Sequence, residues 1–314
     1  MSKHLLQNHS RQEKLDLTRS RARLFTGSLE SAIYLLSSIC SVPSTVSVLP
    51  AMNTNFTHHI SVSLADGSHI TGQNNISHPS APTALSTPMN PSPHSETEES
   101  DKVEDANLPG SLPSLRKPFI QFSKSHEEDL PARIQRLWYI NPYGQEITLP
   151  VNPRVSDALA RASCIIYSIG SLFTSIVPSL ILRGVGAAVA SPGIRAKVLI
   201  LNGSLDRETG PLSSPFTALD FVGAIAGACA QSRGLKECSE VEFKTYVTHV
   251  IYLDCPGAPK LDRERFRSLG IEALRIYGWG GGRYDESALR QCLEVVLGRA
   301  DPRGSQVRRN TLER

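Results

Sequence analysis

Apolar positions recur along this chain with two periods, and the places where the period changes mark its elements. Leu29, Ala32, Ile33, Leu36 and Ile39 fall at helical spacing. Thr26 or Ser28 can cap that helix, and Glu30 lies in its first turn, where the helix dipole favours an acid. Ser41-Val42-Pro43 ends it, and Val46, Val48 and Leu49 suggest a short strand. Ile60, Val62 and Leu64 then alternate up to Asp66-Gly67, with Ile70 beyond, which predicts a β-hairpin.

Pattern resumes at Arg133–Ile140, which reads as a strand, followed by a turn at Asn141-Pro142-Tyr143-Gly144. Asn152-Pro153 starts a helix, with Asn as cap and Pro at the first helical position. From there short apolar strands alternate with amphipathic helices. Strands are expected at Cys164–Tyr167, Ala196–Leu201, His249–Leu253 and Ala273–Tyr277. Helices are expected from Gly170-Ser171 through about Leu182, and at Phe216–Gln231, Asp262–Leu269 and Glu286–Leu297. Continuous apolar strands alternating with helices predict an α/β fold with a mostly parallel sheet covered on both faces. In such a fold the working loops lie at the carboxyl ends of the strands. Here those loops are 168–175, 202–214, 254–260 and 278–284.

Composition changes how much of the chain this pattern explains. Of 21 prolines, eight fall between His78 and Pro118. The stretch 80–130 is rich in Ser, Pro, Thr and Glu, with too little apolar surface to offset its chain entropy, so it is expected to be a disordered insertion. Residues 1–23 and 299–314 read as disordered ends. The foldable parts are then 24–79 and 131–298. Lys+Arg 33 against Asp+Glu 30 leaves a net charge of only +3, which argues against a strongly basic nucleic-acid binder. The run Ala162–Leu182 carries no formal charge, but Ser, Thr, Gly and Pro interrupt it. A strand, a turn and a buried helix explain it better than a membrane span. Six cysteines without a CxxC pair fit free thiols in a reducing compartment, and no secretory signal is evident, so a cytoplasmic location is expected.

Candidate chemistry concentrates in two loops. Ser168-Ile169-Gly170-Ser171-Leu172-Phe173-Thr174-Ser175 combines Gly for close backbone approach with three hydroxyls at a helix start. Such a turn can hold a phosphate. Pattern alone leaves it open between that and an ordinary Ser-capped strand-to-helix turn. It has no Lys of the P-loop type, which argues against a Walker-type ATPase. Asn202, Asp206 and Glu208 in the second loop could hold a ribose, a base edge or a metal, or only cap the loop locally. His58 and His59 point to opposite faces of a strand, so a joint metal site there is not expected. Gly280-Gly281-Gly282 lacks dinucleotide spacing and reads as a flexible turn.

The block from Ile166 to Pro178, with Gly170-Ser171-Leu172-Phe173-Thr174-Ser175 at its centre, resembles the central motif of the CofD/YvcK (UPF0052-type) family. Asn141-Pro142 through Asn152-Pro153, Asn202 with Glu208-Thr209, and Ala218-Leu219-Asp220-Phe221-Val222 agree in order. Val62-x-Leu64-x-Asp66-Gly67 with Gly72-Gln73 is similar to the family hairpin. The resemblance implies a Rossmann-like three-layer α/β/α fold. It implies a GDP- or UDP-type nucleotide diphosphate as ligand, with Mg²⁺ as the accompanying metal, although no metal ligand is assigned. It implies phosphate contacts at Gly170, Ser171, Leu172, Phe173, Thr174 and Ser175, with Asn202, Glu208, Thr209, Asn53 and Asn55 as further contacts. One branch of the family moves a phospholactyl group as 2-phospho-L-lactate transferases; the other comprises nucleotide-sugar-binding regulators. Both functions stand as expectations, beside that of an inactive fragment. The partner expected is the nucleotide itself, with neither nucleic acid nor membrane, and a homodimer is left open. Ser168-Ile169 replaces the family's usual Gly-Pro. The family's glycine-rich first loop and its acidic metal ligand are not found, so the first βα units are expected to be missing.

Overall fold

A computed structural model of the chain describes residues 29–54, 56, 58–77, 112, 115 and 129–298. The disorder expected at 1–23, at 299–314 and over nearly all of 80–130 lies outside the described residues.

Helix α1 (Leu29–Ile39) leads to strands β1 (His59–Leu64) and β2 (His69–Thr71), then the short helix α2 (Gln73–Ser77). β1 pairs antiparallel with β2, with Val62 opposite Ile70 across the expected hairpin. Its other edge pairs antiparallel with β3 (Ile134–Ile140), and β3 pairs with β4 (Glu146–Ile147). The four strands make an antiparallel sheet in the order β2-β1-β3-β4. Val62, Leu64 and Leu137 point into the core, while Arg136 and Glu146 form an ion pair on the exposed side.

Helix α3 (Pro153–Ala160) opens the second half. The Asn152 side chain accepts from the Arg154 N–H, as expected of an N-cap followed by Pro. Strands β5 (Cys164–Tyr167), β6 (Ala196–Ile200), β7 (His249–Leu253) and β8 (Glu272–Ile276) form a parallel sheet in that order. Helices α4 (Val177–Leu180), α5 (Val185–Val189), α6 (Ala218–Ser232), α7 (Phe243–Tyr246) and α8 (Arg263–Ser268) fill the crossovers. Strands β9 (Gly278–Gly280) and β10 (Arg283–Tyr284) and helix α9 (Glu286–Val296) follow.

The strand period decides which layer each side chain joins. Tyr167, Leu199, Leu201, Val250 and Tyr252 face a large core containing Phe221, Val222 and Ile225 of α6, which also takes in Val62, Leu64 and Leu137 of the antiparallel sheet. Val198, Ile200, Ile251, Leu253 and Ile276 face the other way, onto Cys292, Leu289 and Leu293 of α9. Each fully buried aliphatic or Phe side chain contributes about 1.5–3 kcal/mol relative to exposure. The parallel sheet is thus covered on both faces, in a Rossmann-like α/β fold. The second cover is narrower. Ile166 of the edge strand β5 keeps 43% of its surface exposed.

Two local expectations need correction, and a third gains detail. Val46, Val48 and Leu49 form no strand, and Val46 and Val48 stand exposed. A strand is stabilised by burying one face, and this segment has no face buried against the core, so it pairs with none of the sheet edges. The helix expected from Gly170-Ser171 to Leu182 is broken into a π-helical turn (Leu172–Ile176), α4 and, beyond Gly184, α5. Pro178 has no N–H to continue the ladder, and Gly184 takes a φ of 102°. The turn expected at the triple-glycine stretch is found, at Gly281 and Gly282. It joins β9 to β10 in a two-stranded ribbon. Among the described residues no helix is long and apolar enough to cross a membrane.

Candidate functional site

The sheet order brings two loops together. β5 and β6 are neighbours, so the turn after β5 and the loop after β6 leave the sheet side by side. Asn202 joins them. Its Nδ2 donates to the Gly170 carbonyl at 3.0 Å, and the Gly170 N–H approaches its Oδ1 at 3.4 Å. One amide side chain therefore clamps both backbone groups of Gly170.

Deeper in, Glu208 holds the next residues. It sits in a short 3₁₀ turn, Arg207–Thr209, and is buried. One carboxylate oxygen accepts from the N–H groups of Phe173 (2.8 Å) and Thr174 (2.9 Å), and the other accepts from the Thr174 hydroxyl (2.5 Å). A carboxylate thus occupies the N-terminal donors of the π-helical turn, where the backbone dipole favours a negative charge. Burial pushes the Glu208 carboxyl up from 4.5 to about 7. The Thr174 hydroxyl opposes that rise and the nearby Asp206 carboxylate adds to it. Asp206 is also raised, chiefly by burial. It caps the 3₁₀ turn by accepting from the Glu208 N–H at 3.1 Å and from the Thr209 hydroxyl at 3.0 Å. Arg207 ties the turn to α2 through the carbonyl of Ile76 (3.1 Å).

These contacts sort the expected site residues. Leu172 and Phe173 send their side chains into the core, and Phe173 meets Phe216 edge-on at 5.9 Å. Thr174, Glu208 and Thr209 are engaged with one another or with Asp206. Ser171 is partly exposed and Ser175 exposed, and neither hydroxyl is hydrogen-bonded within the described residues. Gly170, Ser171 and Ser175 therefore form the outward part of the turn. Asn53 is exposed, on a segment tied to Asn152 by the carbonyls of Pro50 and Ala51, and no hydrogen bond joins it to the Gly170 turn. Asn55 lies outside the described residues.

The loop 278–284, expected among the working loops, takes a form the sequence reading did not foresee. The ribbon β9–β10 folds back from the end of β8 across the carboxyl ends of β7 and β6. The Tyr284 hydroxyl donates to the Leu201 carbonyl at 2.6 Å and lies 3.3 Å from that of Ile251. At the ribbon's tip Gly282 packs so tightly on Gly203 that a Cβ on Gly203 would lie 1.8 Å from the Gly282 carbonyl oxygen. The signal was present in Tyr277-Gly278-Trp279-Gly280 and Arg283-Tyr284, where aromatics and glycines alternate with strand period. A separate cleft of about 890 Å³ lies between β3–β4 and α6, lined by Arg133, Gln135, Phe216, Asp220 and Gln231 among others. Of the expected site residues only Phe173 reaches it.

A parallel α/β sheet with a Gly-Ser turn at the carboxyl end of its edge strand places the chain among Rossmann-like proteins. Comparison with known proteins narrows the class. Residues 6–269 match the family described as "2-phospho-L-lactate transferase CofD", and the chain belongs to that family. It is 35% identical over 280 residues to the Saccharomyces cerevisiae protein described as "Uncharacterized protein YNL011C". That match covers 81% of this chain and 62% of the yeast protein, so the chain spans less than two thirds of that relative's length. Among solved structures it is similar to protein BH3568 of Bacillus halodurans, with a TM-score of 0.57 and 18% identity over 94% of this chain and 74% of that one. A second structure of BH3568, described as a member of the UPF0052 family, gives a TM-score of 0.54 and 19% identity over 91% of this chain and 70% of that one. At such identities these structures speak for the fold.

Proposed function

We propose that this chain binds the diphosphate of a GDP- or UDP-type nucleotide at Gly170, Ser171 and Ser175 and acts as a transferase of phosphorus-containing groups, in the manner of a 2-phospho-L-lactate transferase. The observation that carries the reading is the turn after β5. Asn202 and Glu208 hold its backbone, while the hydroxyls of the partly exposed Ser171 and the exposed Ser175 have no hydrogen-bond partner among the described residues. A preorganised turn of this kind stabilises phosphoryl charge without reorganising. In the transferase reading, an acceptor hydroxyl attacks the donor's phosphorus and the nucleotide leaves. Asn202 and Glu208 are positioning residues that keep the turn in place. Among the described residues no group of three or more His, Cys, Asp or Glu could hold a metal ion. The expected Mg²⁺ therefore has no ligand set in this reading, and no step is routed through it. A cytoplasmic location and a homodimer belong to the same proposal.

One observation favours the second reading, a non-catalytic nucleotide-sugar-binding protein. Glu208, the buried carboxylate of the second loop, uses both oxygens on the Phe173 and Thr174 donors, which leaves it not placed as a general base, while Asp206 spends Oδ1 on the Glu208 N–H and the Thr209 hydroxyl. Calorimetric titration with GDP and UDP-N-acetylglucosamine, with and without Mg²⁺, tests both readings. Binding followed by turnover of a phospholactyl donor supports the transferase. Binding without turnover, unchanged by Mg²⁺, supports the regulator. No binding of any nucleotide overturns both.

A further inference from the structure

Trp279 has 80% of its surface exposed. An indole left in water forgoes a large burial gain, so its setting matters. It sits on the ribbon β9–β10, and a two-stranded ribbon is marginal on its own. This one is anchored at both ends. Tyr284 bonds the carbonyls of Leu201 and Ile251, Gly278 lies close to Leu253, and Gly282 meets Gly203 backbone to backbone. Gly280, Gly281 and Gly282 all have positive φ, the conformation that turns the ribbon sharply. The fold thus holds a large aromatic ring in place and leaves it uncovered. Tyr277, two residues earlier, is also exposed, with the Arg275 guanidinium 5.7 Å from its ring centre.

The Gly170 turn and the ribbon meet two consecutive residues of the loop after β6. Asn202 clamps Gly170, and the adjacent Gly203 carries the tip of the ribbon. Asn202 and Gly203 are consecutive, so the Gly170 turn and the tip of the ribbon are both seated on the start of the loop after β6.

We propose that Trp279 is the stacking platform for the base of the nucleotide whose diphosphate lies on Gly170, Ser171 and Ser175. The inference rests on the diphosphate reading above and adds to it the residue that recognises the base. Every base has a flat π-face, so stacking accepts more than one base, and affinity for the ring comes from the indole.

The test uses the full chain and its two tryptophans, Trp138 and Trp279. A Trp138→Phe variant leaves Trp279 as the single tryptophan fluorophore. Titration with GDP and with UDP should quench it, while inorganic pyrophosphate should bind without quenching. Trp279→Ala should weaken GDP and UDP binding by roughly 5- to 150-fold, the range of one base–aromatic stack, and leave pyrophosphate affinity unchanged. Trp279→Phe should fall between. GDP binding that leaves Trp279 fluorescence and the Trp279→Ala affinity unchanged would overturn the stacking role and spare the diphosphate reading. Failure of GDP, UDP and pyrophosphate alike to bind the wild-type chain would overturn both. Quenching by a single-stranded oligonucleotide but by neither diphosphate would point to a different ligand and overturn the proposal.

Discussion

The two loops that meet at Asn202-Gly203 are built on opposite principles. The turn after β5 is held from within. Its N–H groups and the Thr174 hydroxyl go to a buried carboxylate, and its large side chains, Leu172 and Phe173, go to the core. The ribbon after β8 is held at its base and tip, and its largest side chain faces water. The contrast teaches that chemical suggestiveness in a sequence and availability in a structure are different properties. Residues that look like ligands in the first loop are mostly its scaffold. The ribbon after β8, whose glycines read as a flexible turn within one of the expected working loops, carries the exposed aromatic surface.

Perturbing the scaffold should produce the largest effects. Glu208→Ala leaves two N–H groups and one hydroxyl without their acceptor in a buried setting, and each such loss costs about 1–3 kcal/mol. A total loss of about 3 kcal/mol or more is expected, read as a lowered denaturant midpoint. An unchanged midpoint would mean the Glu208 contacts do not hold the turn.

Gly203→Ala comes next. Its Cβ would fall on the Gly282 carbonyl, so the ribbon must shift. Overpacking of this kind costs about 1–3 kcal/mol. The change should also alter Trp279 emission, which ties the seam between the loops to the ribbon's position. Full wild-type stability would show that the two loops are not coupled there.

The pH dependence follows from Glu208. Its folded pKa, about 7, lies above its ordinary 4.5, so between these values the folded chain keeps a proton that the unfolded chain has lost. This contribution to stability is fully present below about pH 4.5 and is lost as pH rises through about 7. Asp206, raised for the same reason, acts in the same direction. An effect on the order of 1–2 kcal/mol is expected. Glu208→Gln should flatten the midpoint-against-pH curve in that window. An equally steep curve in the variant would assign the slope to other groups.

The smallest effect on stability belongs to the exposed arm. Trp279→Ala should change the midpoint by no more than about 0.5 kcal/mol, as an exposed side chain does when it has no structural partner. A larger loss would show that the indole packs against something in solution, and would move the ribbon into the same class as the first loop.

Much of the architecture was legible in the chain. The strand His249–Leu253, the Asn152 cap before Pro153 and the stop at Gly270 depend on short-range pattern, and each is found as expected. Val46, Val48 and Leu49 show the limit of that reading. Their apolar pattern asks for a strand, but a strand also needs a face to bury, and Val46 and Val48 stay exposed. The position of the Gly170 turn at the carboxyl end of β5 was legible, because the end of a strand and a Gly-Ser turn are local features. The role of each residue in it was not. Glu208 lies 34 positions after Thr174, and only the parallel pairing of β5 with β6 brings the carboxylate beneath the turn.

The sequence by itself therefore determined the alternation of elements and the α/β class, since periodicity acts within a few residues. Tertiary structure alone decided which donors face inward and which hydroxyls face out. It also decided that a glycine-rich stretch becomes an anchored ribbon. Burial, close backbone approach and hydrogen bonding between distant loops depend on which surfaces meet, and no short stretch of chain encodes that.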